Sequence, residues 1–258
     1  KINKSQMKSI ILSIVIISMV FPRYPDAVGK NGMVVSSNKY ASDVGIEILK
    51  SGGNAIDAAI ATGFALAVVH PGAGNIGGGG FMVIRLADGT VTTIDFRETA
   101  PSKAYRDMFL DDSLNVISAK SWSTSWAVGV PGSVAGFGLA HEKYGVTQWK
   151  NLVYPASRLA LKGFDLDLVN YSYLNSPYYI NYLSNDVETA KIFTKENGDM
   201  FELGEKFIQQ DLGLTLKRIA RKGYKEFYDG KTADMIVDCM NRTEGLITKE
   251  DLKNYNAI

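Results

Sequence analysis

The chain has 258 residues, 46% hydrophobic and 21% charged: long enough for one large domain or two modest ones with a buried core, and unlike a disordered, collagenous or coiled-coil chain. Lys and Arg number 28 against 27 Asp and Glu, a formal charge of +1 with no long run of one sign, so the electrostatic footprint of a nucleic-acid-binding protein is missing. One cysteine and two histidines, Cys239, His70 and His141, are too few for a zinc cluster or a disulfide framework; no metal and no cofactor are expected, and Cys239 reads as a small buried thiol.

Met7-Lys8 precedes an uncharged apolar run at residues 9–21, followed by Pro22 and Arg23. Its 13 residues fit the roughly 7–15 of a signal-peptide apolar region and fall short of the roughly 20 that span a bilayer. Residues 1–27 are therefore expected to be a signal peptide, with Met7 a better start than Lys1 and Ala27 the best cleavage point, and the protein to be periplasmic or extracellular with no stable membrane span. A buried strand or an uncleaved anchor is the alternative for the same run. An exported chain with a single cysteine must rely on its core rather than on disulfides.

In the remaining 28–258, residues 32–37 predict a short buried strand, and Ser37-Asn38 can cap the helix that follows, stopped by Ser51-Gly52-Gly53. Asn54 caps a second helix over 55–69, rich in Ala and apolar nearly all round, as in helices buried within a protein. Six glycines then fall within residues 71–80. Strands at 81–86 and 90–96 flank Asp88-Gly89, a strong hairpin signal, and the second ends in Asp95-Phe96-Arg97-Glu98. Residues 101–132 look irregular. Helices follow at 133–144, 147–161, 167–174, 210–221 and 231–241, with a short one from Thr248. Strands between early and late helices predict the α+β class, helix layers over a sheet.

The glycine run follows a helix and precedes a strand, and no Lys-Ser or Lys-Thr comes after it, so neither the P-loop nor the dinucleotide topology fits. Its glycines are expected to let backbones approach closely or to adopt positive φ. Arg97 is the best single candidate for chemistry: at a strand end its planar fork can face a cleft and grip a carboxylate bidentately, and the alternative is an ion pair with Asp95 or Glu98. His70, at a helix end where its ring can donate to a last-turn carbonyl, and His141, beside Glu142 and Lys143, read as structural. Tyr171, Tyr173, Tyr178, Tyr179 and Tyr182 read as packing with wetted hydroxyls rather than a sugar or peptide platform. The glycosylation sequons at Asn170 and Asn241 are chance-level matches.

Taken together, residues 71–81, the Asp95-Phe96-Arg97-Glu98-Thr99-Ala100-Pro101 motif and Val130-Pro131-Gly132-Ser133-Val134-Ala135-Gly136 resemble the γ-glutamyltranspeptidase family. Residues 106–111, Glu226-Phe227-Tyr228 and residues 245–252 extend the likeness, which runs from about Gly32 to the C-terminus. The resemblance implies a proenzyme of the N-terminal nucleophile hydrolase superfamily, an αββα sandwich that cleaves itself into a large and a small subunit. A threonine freed at the start of the small subunit would attack the γ-glutamyl amide of a substrate such as glutathione and pass the acyl group to water, an amino acid or a peptide, with its own α-amine as base. By the same resemblance, Arg97 would bind the α-carboxylate of the γ-glutamyl group.

The family's nucleophile motif, threonine followed by threonine or serine and then histidine, occurs nowhere in the 258 residues, nor does its serine- and glycine-rich oxyanion segment. Residues 28–258 are thus expected to be part of a large subunit, an incomplete sandwich, inactive alone, whose nucleophile lies beyond residue 258. Two rivals remain. One is a related acylase of the same superfamily branch, such as a cephalosporin, glutaryl or polyglutamate-processing enzyme; the other is a non-catalytic exported binding protein that keeps the large-subunit scaffold.

Overall fold

The computed structural model describes Asn3 and residues 27–183 and 186–258; the expected leader lies almost wholly outside them. Two compact units are distinguished, Lys1–Met33 and Val34–Ile258. In the first, residues 27–33 form neither helix nor strand. The expected strand at 32–37 is not present, because no strand among the described residues pairs with it. Ser36 instead turns its hydroxyl to Asn38 O at 2.8 Å and so leads into the first helix.

Helix α1 (Lys39–Lys50) begins where the Asn38 side chain accepts from Tyr40 N and ends at Ser51, followed by Gly52 at φ 94°. Helix α2 (Ala55–Val69) starts with a reciprocal cap: Asn54 accepts from the backbone of Asp57, and Asp57 accepts from the backbone of Asn54. The fully buried Asp57 carboxylate also receives Val146 N at 3.2 Å and Thr147 N at 3.1 Å, so one side chain both starts a helix and anchors a distant turn. Because α2 is apolar nearly all round, most of its surface is covered, with Ile60, Phe64 and Val68 wholly buried and only Ala55 and Ala59 exposed. Its neighbours are α1, α4 (Ser133–Tyr144) and α5 (Trp149–Lys162), and Phe64 meets Phe137 and Trp149 edge-on at 5.1 and 5.5 Å.

Strands β1 (Phe81–Arg85) and β2 (Val91–Asp95) form an antiparallel hairpin with Phe81 opposite Asp95, turned at Gly89 with φ 90° as Asp-Gly predicts. Ile84 and Ile94 face the core, whereas Phe81, Val83 and Val91 are 63%, 76% and 63% exposed on the other face. A second two-stranded sheet joins β3 (Phe164–Asp165) to β4 (Lys206–Phe207). The α+β class holds, with helices dominating and small sheets only.

Residues 101–132 are mostly irregular but contain a short helix, α3 (Ser118–Trp122), and a 3-10 turn at Ser125–Ala127. Helix α6 (Leu168–Leu174) is capped by Asp167. Helices α7 (Pro177–Leu183) and α8 (Val187–Phe193) were not anticipated; each has seven residues, too few to display a 3.6-residue period. The same holds for the five-residue α10 (Lys225–Asp229). Helix α9 (Gln210–Lys222) lies along α5, where Ser157 Oγ donates to Gly213 O at 2.8 Å. Helices α11 (Lys231–Arg242) and α12 (Lys249–Asn254) complete the unit. Among the described residues no helix is long and apolar enough to cross a membrane, and no cluster of three or more His, Cys, Asp or Glu could hold a metal.

Candidate active site around Arg97

The three motifs singled out in the sequence meet at one place. Gly80 and Phe96 exchange backbone hydrogen bonds, Gly80 N to Phe96 O at 3.2 Å and Phe96 N to Gly80 O at 2.9 Å. Two residues earlier, Gly78 O accepts from both Gly132 N at 2.8 Å and Ser133 N at 2.9 Å, so the start of α4 is tied to the glycine run. Thr99 and Val130 pair across the same region, Val130 N donating to Thr99 O at 2.8 Å.

None of the glycines in the run has positive φ; close approach is the role of Gly74 and Gly79, whereas Gly77 has open space where a Cβ would stand. A Cβ on Gly79 would reach Glu98 N at 2.8 Å and strike Phe96 O, and one on Gly74 would strike Leu66 O. Across the junction, a side chain on Gly132 would collide with Phe96 O and the Tyr255 hydroxyl, and one on Gly136 with the Phe96 ring. Glycine is thus required where three backbones pass within hydrogen-bonding distance.

Arg97 projects from this junction. Its N–H donates to Asp95 Oδ1 at 2.9 Å and its carbonyl accepts from Tyr255 Oη at 2.8 Å, so the backbone is held on both sides. The side chain is 69% exposed, and its Nε stands 3.4 Å from Glu98 Oε2, a loose contact that leaves most of the guanidinium donors free. Asp95, the other carboxylate weighed as an ion-pair partner, takes the backbone N–H, and its own main chain pairs with Ile258. Arg97 opens on a shallow cleft of about 410 Å³ walled by Met108, Phe109 and Trp126, in which Arg97 is the one cation and Glu98 the one carboxylate among the described residues. Such an arrangement can grip a carboxylate; its lining does not pair a nucleophile with a base. A larger cleft of about 990 Å³, between residues 71–77 and the start of α9, does not include Arg97.

The remaining candidates are structural. His70 closes α2 through its backbone N–H, which donates to Leu66 O at 2.9 Å, in place of the expected ring contact. His141 lies with Nε2 2.7 Å from Thr147 O and packs edge-on against Trp149. Tyr173 and Tyr179 pack at 5.0 Å, Tyr179 meets Phe193 at 5.8 Å, and burial pushes the Tyr179 hydroxyl up to about 12. Tyr178 is exposed, and Tyr171 is partly buried against the core. Cys239 is half-buried rather than buried, since its helix turns that side toward the surface. Asn170 is buried and donates to Val69 O at 2.8 Å, which removes it as a glycosylation acceptor; Asn241 is exposed.

Sequence reasoning did not single out Tyr255 or the role of Tyr228. The Thr248-to-Asp251 capping box marks the start of α12, which delivers Tyr255, but nothing local says where that phenol goes.

A family profile described as gamma-glutamyltranspeptidase matches residues 41–258. The glutathione hydrolase proenzyme of Escherichia coli K12 is 49% identical over 231 residues, covering 89% of this chain and 39% of that protein. The crystal structure of Helicobacter pylori gamma-glutamyltranspeptidase superposes with a TM-score of 0.87 at 44% identity, covering 91% of this chain and 66% of that one. The Bacillus anthracis transpeptidase enzyme CapD gives 0.71 at 34% identity, covering 89% and 70%. The chain belongs to the γ-glutamyltranspeptidase family, and its fold is part of the N-terminal nucleophile hydrolase architecture. It spans about 39% of the length of the E. coli and Pseudomonas proenzymes that it matches.

Proposed function

We propose that this chain is the N-terminal part of the large subunit of an exported γ-glutamyltransferase and glutathione hydrolase, in which Arg97 holds the α-carboxylate of the γ-glutamyl group. The observation that carries this reading is the contrast at Arg97: a backbone fixed by Asp95 and Tyr255, with a largely free guanidinium at the rim of a cleft. A fixed base under a free fork suits bidentate capture of a carboxylate, and an arginine serving the fold would be buried among partners.

In the complete proenzyme, the nucleophilic threonine of the small subunit would attack the γ-amide while Arg97 fixes the far end of the substrate, and the acyl-enzyme would then pass to water or an amine. Exposed Phe81, Val83 and Val91 on the outer face of the hairpin support a partner sheet from the small subunit in that position. The short uncharged apolar run at residues 9–21 behind Lys8, read as a signal peptide over residues 1–27, supports export. An available carboxylate clamp favours a γ-glutamyl donor over the acylase rival; the non-catalytic binding protein would share both clamp and cleft, and turnover by the full-length protein separates it.

The test uses the full-length proenzyme made with its own leader in a bacterial host. It should be recovered outside the cytoplasm as two subunits, the larger lacking residues before about Ala27 by mass spectrometry, while residues 1–258 alone show no turnover above a heat-killed control. Arg97→Lys keeps the charge but loses the fork. It should mature normally and lose about ten- to a hundredfold in kcat/KM, roughly 1.5–3 kcal/mol, on γ-glutamyl p-nitroanilide. Equal losses on the 4-aminobutyryl anilide, which lacks the α-carboxylate, would return Arg97 to a structural role.

A further inference from the structure

We infer that Tyr255 is a positioning residue for Arg97, acting through the peptide that joins Arg97 to Glu98; the inference rests on the carboxylate-binding role just proposed. The phenol reaches 158 residues back along the chain to donate to Arg97 O at 2.8 Å. That carbonyl sets the plane of the 97–98 peptide, and with the N–H of Arg97 held by Asp95 it fixes the direction in which the arginine side chain leaves the backbone.

The phenol is itself held in place. Its ring stacks on Tyr228 with centroids 5.7 Å apart and an interplanar angle of 11°. Tyr228 is locked in turn, because its buried hydroxyl donates to Pro131 O at 2.9 Å and accepts from Ala135 N at 3.0 Å. Gly132, between those two partners, leaves the space that the Tyr255 hydroxyl occupies. The segment at residues 131–135 thus holds Tyr228, Tyr228 stacks on Tyr255, and Tyr255 reaches the Arg97 carbonyl. Burial, reinforced by the negative charges of Asp95 and Glu98, pushes the Tyr255 hydroxyl up to about 12, so it remains a donor at every physiological pH.

A bidentate grip depends on direction as well as charge, so a few tenths of an ångström at the base of a long side chain matter more to a fork than to a point charge. Tyr255→Phe removes the donor and keeps the stacked ring. In the full-length enzyme it should mature normally, keep kcat for γ-glutamyl p-nitroanilide within about twofold, and raise KM about three- to tenfold, the range expected for one neutral hydrogen bond. Kinetics on the 4-aminobutyryl anilide should be unchanged.

Failure of Tyr255→Phe to mature, an unchanged KM for the γ-glutamyl donor, or equal losses on both anilides would each overturn the inference. A wild-type enzyme that does not discriminate between the two anilides would overturn the underlying reading of Arg97 instead, so the two failures are separable.

Discussion

The junction beneath Arg97 and the tyrosine-rich arm at residues 167–201 solve packing in opposite ways. At the junction, Gly78, Gly80, Phe96 and Gly132 bind one another backbone to backbone, and the glycines leave no volume for a side chain. In the arm, short helices meet through rings: Tyr173 with Tyr179, Tyr179 with Phe193, and Phe193 and Phe201 with Phe207. A backbone-to-backbone contact leaves no room for an added methyl, whereas an aromatic pair is worth about 0.5–1.5 kcal/mol beyond its buried area and is replaced in part by another apolar side chain of similar volume. The stiff mode of packing underlies the one side chain whose aim matters.

Substitutions in the two regions test that contrast. The largest effect is expected at Gly136→Ala, whose methyl would enter the Phe96 ring. Helix propensity favours alanine by about 1 kcal/mol, but overpacking typically costs up to about 3 kcal/mol. With Phe96 Cβ 2.6 Å from the added carbon and Phe96 Cγ and Cδ1 closer still, the cost falls at the top of that range, so a net loss of at least about 2 kcal/mol is expected. Urea unfolding of the full-length protein measures it; a midpoint equal to or above wild type would contradict a rigid junction.

An intermediate effect belongs to Asp251, which ties the segment after Arg97 to α12. Its carboxylate accepts from Ser102 N at 2.8 Å, Thr248 N at 2.8 Å and Thr248 Oγ1 at 2.7 Å. Burial opposes its ionisation, but the hydrogen bonds from Thr248 and Ser102 outweigh it and hold the carboxyl below its ordinary value of 3.8. Because the folded value is depressed, the stabilisation is fully present above the unfolded value near 3.8 and is lost as pH falls through the lower folded one. Asp251→Asn should cost about 1–2 kcal/mol at neutral pH and flatten the loss of stability below about pH 4. Thermal melts across pH 3–7 compare the two; parallel curves would remove Asp251 from the acid response.

The smallest effect is expected in the arm. Tyr179→Leu gives up two ring contacts while keeping an apolar side chain, so about 1 kcal/mol is at stake. KM for a γ-glutamyl donor should not change in the full-length enzyme. A KM shift as large as that of Tyr255→Phe would show the two regions to be coupled and erase the distinction between them.

Much of the scaffold was legible because its signals are local. Asn38 and Asn54 mark the starts of α1 and α2, Asp88-Gly89 marks the hairpin, and the nearly all-round apolar character of residues 55–69 announces a largely buried helix. The misses have physical causes. A run such as residues 32–37 has strand composition, but a strand exists only with a partner, and the sequence does not say whether one is nearby. Helices α7, α8 and α10 are too short to carry a period, and contacts made elsewhere in the chain hold them.

The site divides along the same line. The resemblance to the family, the glycine-rich run, the D-F-R-E motif and Arg97 as the residue to watch could all be read from residue type and order. Folding was needed to reveal that Gly74 and Gly79 serve close approach rather than positive φ, that Asp95 holds the Arg97 backbone rather than its charge, and that Tyr255 arrives from 158 residues away to complete the support. A hydrogen bond between residues 97 and 255 leaves no periodicity and no local propensity in the sequence; it arises when the packing of many helices brings two points of the chain within 2.8 Å.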